Sequence, residues 1–237
     1  MSSTTPTQPP PPPPAVSLTE RRKAETRMEI ARAAAGLFVR QGLRATRAED
    51  IAQAAGVAPR TFYRYFASKE EAIGPLYAMG AQRWVEAVRT APAGVPLPRA
   101  LEEAVRHTLT PGLGVSAASW NWVRTLIRLA EANPALRRVW AEACQASERN
   151  LAEALTERLT AAHAPYEGDN VAVRARLAFA AAVASAAVRT AMESWAAGEA
   201  PSEGPEGPAE LALTNLAALR DFPWGDLEPP HGRSRRA

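Results

Sequence analysis

The run from Glu49 to Lys69 constrains the fold of this chain more than any other part of its sequence. Its residues, EDIAQAAGVAPRTFYRYFASK, predict two short helices joined by a tight turn. Gly56 supplies the left-handed backbone conformation that such a turn needs. Pro59 opens the second helix at the position where its missing N–H costs nothing. A capping box of Thr46 and Glu49 is expected to begin the first helix.

The second of these helices carries basic, hydroxyl and aromatic groups on one short surface. Five residues form that surface: Arg60, Thr61, Tyr63, Arg64 and Tyr65. Such groups are the ones that the major groove of DNA can use. Simpler explanations are a solvated face for the two arginines and packing between helices for the two tyrosines. Phe62 and Phe66, four residues apart, are expected to face inward.

The rest of the chain predicts further helices, because alanine, leucine, arginine and glutamate dominate while strand-forming residues are sparse. We therefore expect an all-α protein of about nine helices. Proline and glycine separate the predicted spans, which are 19–41, a helix from Thr46, one from Pro59, then 68–90, 97–110, 116–131, 134–162, 170–198 and 207–221. Four regions are expected: a disordered Pro-rich tail at 1–18, a three-helix module at 19–68, a larger helical domain at 69–222, and a basic disordered tail at 223–237.

Charge divides along the same boundaries. Residues 20–70 hold 11 Lys and Arg against 6 Asp and Glu, whereas residues 71–228 hold 14 against 19. A basic module on an acidic body suits a protein that meets phosphate groups at one end. A chance fluctuation in composition would give the same asymmetry, so the charge distribution alone is weak evidence for phosphate binding.

Other features limit the location and chemistry of the chain. Cys144 is its only cysteine, so no internal disulfide forms, and no Cys/His pair has zinc-site spacing. We expect a cytoplasmic protein with no cofactor, no metal and no membrane partner. The most apolar run, Leu177–Val188, is shorter than the length that a bilayer requires.

Six consecutive prolines at 9–14 indicate either a disordered tail or a ligand for a proline-binding domain.

The segment IARAAAGLFVRQGLRATRAEDIAQAAGVAPRTFYRYFASKEEAI resembles the DNA-binding domain of TetR-family transcriptional regulators. That resemblance implies an all-helical homodimer whose three N-terminal helices bind a double-stranded DNA operator and whose larger domain binds a small molecule. The positions matching Thr46, Tyr63, Tyr65 and Lys69 contact the DNA backbone or nearby bases in the family. The sequence RTFYRYFASKE and the late Trp195 also resemble a branch linked to acyl-CoA ligands.

The implied motif assigns roles to the exposed residues of the second helix, which enters the major groove in such proteins. Arg60 or Arg64 is expected to read a guanine, and Thr61 a thymine methyl or a phosphate. Arg47 is expected to add a phosphate contact, and Lys69 to complete an anion site at the start of the fourth helix. Many relatives have serine or threonine where this chain has Ala58. The missing cap oxygen costs about 1 kcal/mol of helix stability, and the operator sequence could differ from that of such relatives.

Regulation in such a protein needs a second site and a movable connection. The fourth helix joins the two domains, and Gly74-Pro75 is either its hinge or a static kink. A repressor released by a small apolar or amphipathic ligand is the expected function. Candidate ligand-binding residues are Trp84, Trp120, Trp122, Arg124, Arg128, Phe179 and Trp195. The aromatic residues could equally be plain core, and the two arginines could extend to solvent or pair with Glu131.

The dimer surface is expected on the helices near 170–198 and 207–221. Residues 172–197 include 12 alanines, whose small side chains let helices approach closely. A helix central to a monomer core would have the same composition.

Two other classes of protein compete with a regulator. An enzyme is disfavoured because the chain has no phosphate-binding loop, dinucleotide fingerprint, metal-ligand cluster or nucleophile elbow. A non-specific architectural DNA binder would bind scrambled DNA as well as its own site.

Overall fold

The structure is a computed structural model that describes residues 17–113, 116, 119–162 and 171–224. The described residues form helices and turns, with no β-strand among them. The helices are α1 (Leu18–Gln41), α2 (Ala48–Ala54), α3 (Pro59–Tyr65), α4 (Gly74–Thr90), α5 (Leu97–Leu109), α6 (Trp120–Ala132), α7 (Pro134–Ala162), α8 (Val171–Ala197) and α9 (Pro208–Leu216). The expected all-α fold with about nine helices is therefore confirmed. Apart from residues 17–18 and 223–224, the two expected tails lie outside the described residues.

The turn between α2 and α3 forms as its residues predict. Gly56 has a φ of 67°, in the left-handed region, and Pro59 is the first residue of α3. The N-cap residue Ala58 makes no side-chain hydrogen bond, because its methyl group carries no acceptor. α3 therefore begins with one capping interaction fewer than a serine or threonine would provide.

The cap of α2 lies one residue later than expected. Arg47 is the N-cap residue, and its main-chain N–H donates to Asp50 Oδ2 at 2.9 Å. The expected pairing of Thr46 with Glu49 is wrong, because the Thr46 hydroxyl instead donates to the main-chain oxygen of Gly42 at 2.9 Å. Thr46 thus closes the α1–α2 connection rather than starting α2.

The fourth helical segment starts with a change of helix type. The Ser68 hydroxyl accepts from the Glu71 N–H at 3.2 Å and caps the start of this segment. A 3₁₀ turn over Glu71–Ile73 follows, and α4 begins only at Gly74. A Cβ atom placed on Gly74 would lie 3.3 Å from Val139 of α7. Glycine therefore lets α4 approach α7 closely here.

Two clusters of buried apolar residues hold the molecule together. The first joins α1, α2 and α3 and includes Phe38, Ile51 and Phe62, all almost fully buried. It extends into the other domain through Leu126 of α6 and Leu136 of α7. The second cluster fills the space enclosed by the six helices α4 to α9. The N-terminal module is thus seated on α6 and α7 as well as on α4.

The apolar helix α8 packs against α6, α7 and α9. By length and composition alone it is the one described helix that could cross a membrane, a property that core helices share. Only 22% of its most apolar stretch is buried inside the protomer. A large alanine-rich part of α8 therefore remains available for packing outside the chain's own core.

Candidate DNA-binding site and effector cavity

The outer face of α3 exposes the side chains that the sequence singled out. Arg60, Tyr63 and Arg64 are exposed, while Thr61 and Tyr65 are half-buried. Phe62 and Phe66 face inward as expected and hold α3 against α1 and α2. The Arg64 guanidinium carbon lies 5.3 Å from the centre of the Tyr65 ring. This contact orients two candidate DNA-binding side chains together at the end of α3.

Tyr63 connects the two helices of the helix-turn-helix. Its ring is 52% exposed, and its hydroxyl donates to Glu49 Oε1 of α2 at 3.2 Å. Loss of water and the neighbouring Glu49 carboxylate raise the pKa of Tyr63 above its ordinary value. The phenol therefore stays neutral, and its single O–H donates to Glu49 in this conformation.

Two of the expected DNA contacts have their polar groups turned inward. Thr46 is 1% exposed, so its hydroxyl offers no contact to DNA in this conformation. Lys69 Nζ donates to the main-chain oxygens of Leu43 and Thr46, at 2.7 and 2.8 Å. In this conformation Lys69 closes the α1–α2 connection instead of completing an anion site. Arg47, by contrast, is exposed, and its expected phosphate contact stays a prediction.

One candidate was not singled out from the sequence. Arg27 of α1 lies with its guanidinium carbon 4.9 Å from the centre of the Phe66 ring and donates to the Tyr65 main-chain oxygen at 3.4 Å. It thereby secures the end of α3. A basic residue three positions before the buried Ile30 was the only sequence signal, and it does not distinguish Arg27 from its neighbours.

A cavity of about 1460 Å³ lies in the larger domain. Its wall comes from α1, α4, α5, α6, α7 and α8 and is mostly apolar. Ligand pockets typically have about 300–1,000 Å³ and an apolar lining with a few polar groups. The cavity is therefore large enough for a sizeable small molecule and is the candidate effector site.

The structure places only part of the expected ligand-binding set in this wall. Trp84, Trp120 and Trp122 line the cavity, whereas Arg124, Arg128, Phe179 and Trp195 do not. Phe179 is 59% exposed and stacks on Phe222 with ring centres 6.0 Å apart. Trp195 packs edge-on against Trp120 and donates through Nε1 to the Pro201 oxygen at 3.0 Å.

Arg124 and Arg128 of α6 have a structural role that the sequence did not reveal. Arg128 donates to the main-chain oxygens of Ala196 and Gly198 and pairs with the exposed Glu199 at 2.6 Å. That pairing holds the pKa of Glu199 below its ordinary value. The expected alternative of a pair with Glu131 is therefore wrong.

Arg124 contacts the same segment, the residues that follow the end of α8. Its guanidinium donates to the Ala200 oxygen, and its carbon lies 4.2 Å from the centre of the Trp195 ring. Carbonyl groups at a helix C-terminus attract cations because they lack partners within the helix. The two arginines thus bind the end of α8 to α6 rather than an anionic ligand.

Several wall residues were missed at the level of sequence. Trp140, Cys144 and Glu148 line the cavity at four-residue intervals along α7, a helical stripe that the periodicity could have shown. Tyr77 of α4 faces the same space, and its hydroxyl donates to the Leu126 oxygen at 2.8 Å. Burial raises the pKa of the Cys144 thiol to about 12, so the thiol remains protonated at neutral pH.

The cavity reaches the DNA-binding module directly. Arg32 of α1 contributes to its wall, and so does Trp122 of α6. A Cβ atom placed on Gly36 of α1 would lie 3.6 Å from Trp122 Cη2. One side chain therefore lies both in the cavity wall and against the first helix of the module.

Comparison with known proteins identifies relatives of the N-terminal module. Residues 30–72 match the sequence model of bacterial regulatory proteins of the tetR family. The HTH-type transcriptional regulator TcmR of Streptomyces glaucescens is 41% identical over 93 residues, which are 39% of this chain and 41% of that protein. The repressor KstR2 of Mycobacterium tuberculosis H37Rv is 46% identical over 50 residues, 21% of this chain and 25% of its own length. The matched segments thus span less than half of these relatives.

A solved structure extends the likeness across both domains. The Thermus thermophilus FadR structure, a TetR-family transcriptional repressor in complex with lauroyl-CoA, superposes with a TM-score of 0.53 at 27% identity. The alignment covers 81% of this chain and 92% of that one. These relatives are named as regulators or repressors of transcription, which agrees with the expectation that the chain is not an enzyme.

Proposed function

We propose that this chain, whose residues 30–72 match the sequence model of the tetR family, is a homodimeric repressor released from its operator by a small apolar or amphipathic ligand. It acts in the cytoplasm and reads a double-stranded operator with α3. The observation that carries this proposal is the exposed Arg60, Tyr63 and Arg64 face of α3, held rigidly by the buried Phe62 and Phe66. A rigid basic face on a short helix suits insertion into a major groove.

Arg60, Thr61 and Arg64 are the proposed base-reading residues. Guanidinium groups pair with guanine O6 and N7, and a threonine methyl contacts thymine. Arg47 and Tyr63 lie beside them on the exposed side of the module and would contact phosphate groups. Phosphate contacts position the protein without reading sequence.

The proposed dimer surface consists of the exposed parts of α8 and α9. Most of the apolar α8 is not buried by the protomer itself, and a second copy would cover it. Alanine-rich surfaces favour close helix packing, as in a four-helix bundle formed by two protomers. Two half-sites on one face of B-DNA lie about 34–36 Å apart, so a dimer sets the spacing of two α3 helices.

The test combines DNA selection with a measurement of oligomeric state. The full chain would be used to select duplexes from a randomised pool, and its mass would be measured by sedimentation with and without the selected DNA. We expect a dimer and a palindromic site that is bound about a thousandfold more tightly than scrambled DNA. A monomer without preference for any duplex would contradict the proposal.

An activator is the second candidate. It would bind DNA through the same contacts as a repressor and differ only in its effect on transcription. A reporter gene placed behind the selected site decides between them. We expect its expression to rise when the gene for this chain is deleted.

A further inference from the structure

The exposed first half of α1 continues the helix face that is buried in its second half. Ile30, Ala34 and Phe38 are buried in the core of the N-terminal module. Lys23 and Arg27 precede Ile30 by seven and three residues, so they lie on the same face of the helix. Both are exposed, because the buried cluster begins on α1 only at Ile30. Two cations thus occupy the part of this face that the module leaves uncovered.

The acidic residues of this half of α1 lie mostly on its other side. Arg22, Glu25 and Glu29 are spaced by three and four residues and share the face opposite to the buried one. Glu20 is the exception, since it pairs with Lys23 at 2.7 Å. Both partners of that ion pair are exposed, and exposed pairs contribute little to stability. A phosphate group can therefore replace Glu20 as the partner of Lys23.

Lys23 and Arg27 meet the exposed end of α3 at Tyr65. Arg27 Nη1 donates to the main-chain oxygen of Tyr65 at 3.4 Å. The guanidinium carbon of Arg64 lies 5.3 Å from the centre of the Tyr65 ring. Glu20 and, to a smaller extent, Tyr65 raise the pKa of Lys23 above its ordinary value, so the ammonium group lies near that tyrosine. Three cations on two helices therefore surround one residue at the edge of the proposed reading face.

The position of α1 beside the helix-turn-helix suits its cations to phosphate groups rather than to bases. When α3 lies in a major groove, the neighbouring parts of the module cross the DNA backbone. A guanidinium has five N–H donors, so Arg27 can hold the Tyr65 oxygen and still reach a phosphate. Lys23 and Arg27 are separated by about 6 Å along the helix axis, whereas phosphates of one strand follow every ~3.4 Å along the duplex. The two side chains can thus contact separate phosphate groups.

We propose, building on the function proposed above, that Lys23 and Arg27 of α1 bind phosphate groups of the operator at the edge of the groove that α3 enters. The DNA-contacting surface of each protomer then includes the first half of α1 in addition to α2 and α3. Phosphate contacts fix the orientation of a protein on the duplex without reading its sequence. The α1 contacts therefore add affinity and position α3, while base preference remains with α3.

The first test measures the salt dependence of DNA binding by the full-length protein. Each phosphate contact that is lost reduces the slope of log affinity against log salt concentration by about 0.9. When salt rises from about 50 to 200 mM, Lys23→Gln should therefore lose about 3- to 4-fold less affinity than the unaltered protein. Arg27→Gln should behave in the same way. A purely structural role of Arg27 would lower affinity at every salt concentration and leave the slope unchanged.

Arg22→Gln is the matched control, because it removes the same charge from the opposite face of α1, one residue from Lys23. It should change the slope by less than half as much as Lys23→Gln does. Circular dichroism melting of each variant shows that the fold is intact. An equal reduction of the slope by Arg22→Gln would overturn the proposal, and so would an unchanged slope in both Lys23→Gln and Arg27→Gln.

The second test locates the contacted phosphate groups. Operator duplexes are prepared in which one phosphate at a time is replaced by an uncharged methylphosphonate. Replacement of the phosphate bound by Lys23 should weaken binding of the unaltered protein several-fold and leave Lys23→Gln nearly unaffected, because that variant already lacks the contact. Arg27→Gln should show the same insensitivity at another phosphate. Losses that add at every position would contradict both contacts.

The two tests separate this proposal from the function on which it rests. The salt slope can be measured on a scrambled duplex, because phosphate contacts do not depend on base sequence. If no duplex were preferred but Lys23→Gln still reduced the slope, the proposed function would fail while the α1 contacts would stand. If an operator were selected but the slopes of both variants were unchanged, the α1 contacts would be wrong while the regulator would stand.

Discussion

Lys69 Nζ lies 2.8 Å from the main-chain oxygen of Thr46, across the connection that leads into α2. A second oxygen, that of Leu43, lies 2.7 Å from the same ammonium. One side chain from the start of the fourth helical segment thus bonds two main-chain carbonyl groups of the connection between α1 and α2. The position of the helix-turn-helix relative to the larger domain depends in part on this contact.

Replacing Lys69 by methionine tests that contact. Hydrogen bonds from a charged donor contribute about 1.5–3 kcal/mol, so Lys69→Met should lower the free energy of unfolding by about 1–3 kcal/mol in urea titrations. Lys23→Met is the control, because Lys23 is exposed and its ion pair is with Glu20, one helical turn away. That control should change stability by less than about 0.5 kcal/mol. Equal effects of the two substitutions would contradict the structural role of Lys69.

Arg64→Ala tests the reading face of α3. Arg64 is exposed and buries no apolar core, so folding should be unaffected. Operator binding should weaken, with preference at one base pair reduced by about 1–3 kcal/mol. Fluorescence anisotropy with a set of single-base operator variants measures this. Arg99→Ala, which removes an exposed arginine of α5 paired with Glu103, should leave affinity and preference unchanged. Unaltered binding by Arg64→Ala would remove Arg64 from the interface.

Ala58→Ser tests the uncapped start of α3. A serine hydroxyl at this N-cap can accept from a free main-chain N–H of the first turn, which contributes about 1 kcal/mol. Thermal melting should therefore show a more stable protein. Ala54→Ser is the control at an exposed position near the end of α2, where no such donor is free. A gain shared by both variants, or by neither, would argue against a capping effect.

The stability of the protein should depend on pH through Cys144. Burial raises the pKa of this thiol from 9.0 to about 12, so the protonated thiol is favoured in the folded state. Its contribution to stability is complete below pH 9 and is lost as the pH rises from 9 to about 12. From pH 9 to 10.5 that loss should reach about 2 kcal/mol, at 1.36 kcal/mol for each pKa unit. Urea unfolding of Cys144→Ala should lack this component, and identical pH profiles of the two proteins would contradict it.

The N-terminal module could be predicted from the sequence because its signals are local. Gly56 and Pro59 fix the turn through their own backbone preferences, and Phe62 and Phe66 identify the buried face of α3 by their spacing. The cavity could be predicted only in part. Arg124 and Arg128 look like an anion site on an apolar helix, but their partners are carbonyl groups about 70 residues later in the chain. Which groups they meet depends on how α6 crosses α8, and no local pattern encodes that crossing.

Cap positions show the same limit at a smaller scale. The expected cap pair of Thr46 and Glu49 fits the sequence pattern, yet Arg47 and Asp50 form the cap. The Thr46 hydroxyl donates to the Gly42 oxygen, and the Thr46 carbonyl group accepts from Lys69, so neither group caps α2. The Thr46 hydroxyl is therefore occupied outside α2, and the next residue, Arg47, is the N-cap.

Trp122 should carry the coupling between effector and operator. It is 41% exposed and lines the cavity, and its ring packs against α1 at Gly36. Coupling in allosteric proteins typically changes affinity about 5- to 150-fold, and it acts equally in both directions. Trp122→Ala should therefore bring effector affinity in the presence of operator close to that in its absence. Both affinities are measured by calorimetry with one apolar or amphipathic ligand that binds the free protein.

The Trp122→Ala prediction concerns a ratio, so a modest loss of effector affinity caused by the altered wall does not affect it. The matched control is Trp224→Ala, because Trp224 lies outside the cavity wall and donates to the Leu219 oxygen. That variant should keep the full coupling. Full coupling in Trp122→Ala as well would contradict this role of Trp122. The coupling between effector and operator would then be assigned to α4, where the 3₁₀ turn and Gly74 connect the module to Val139 of α7.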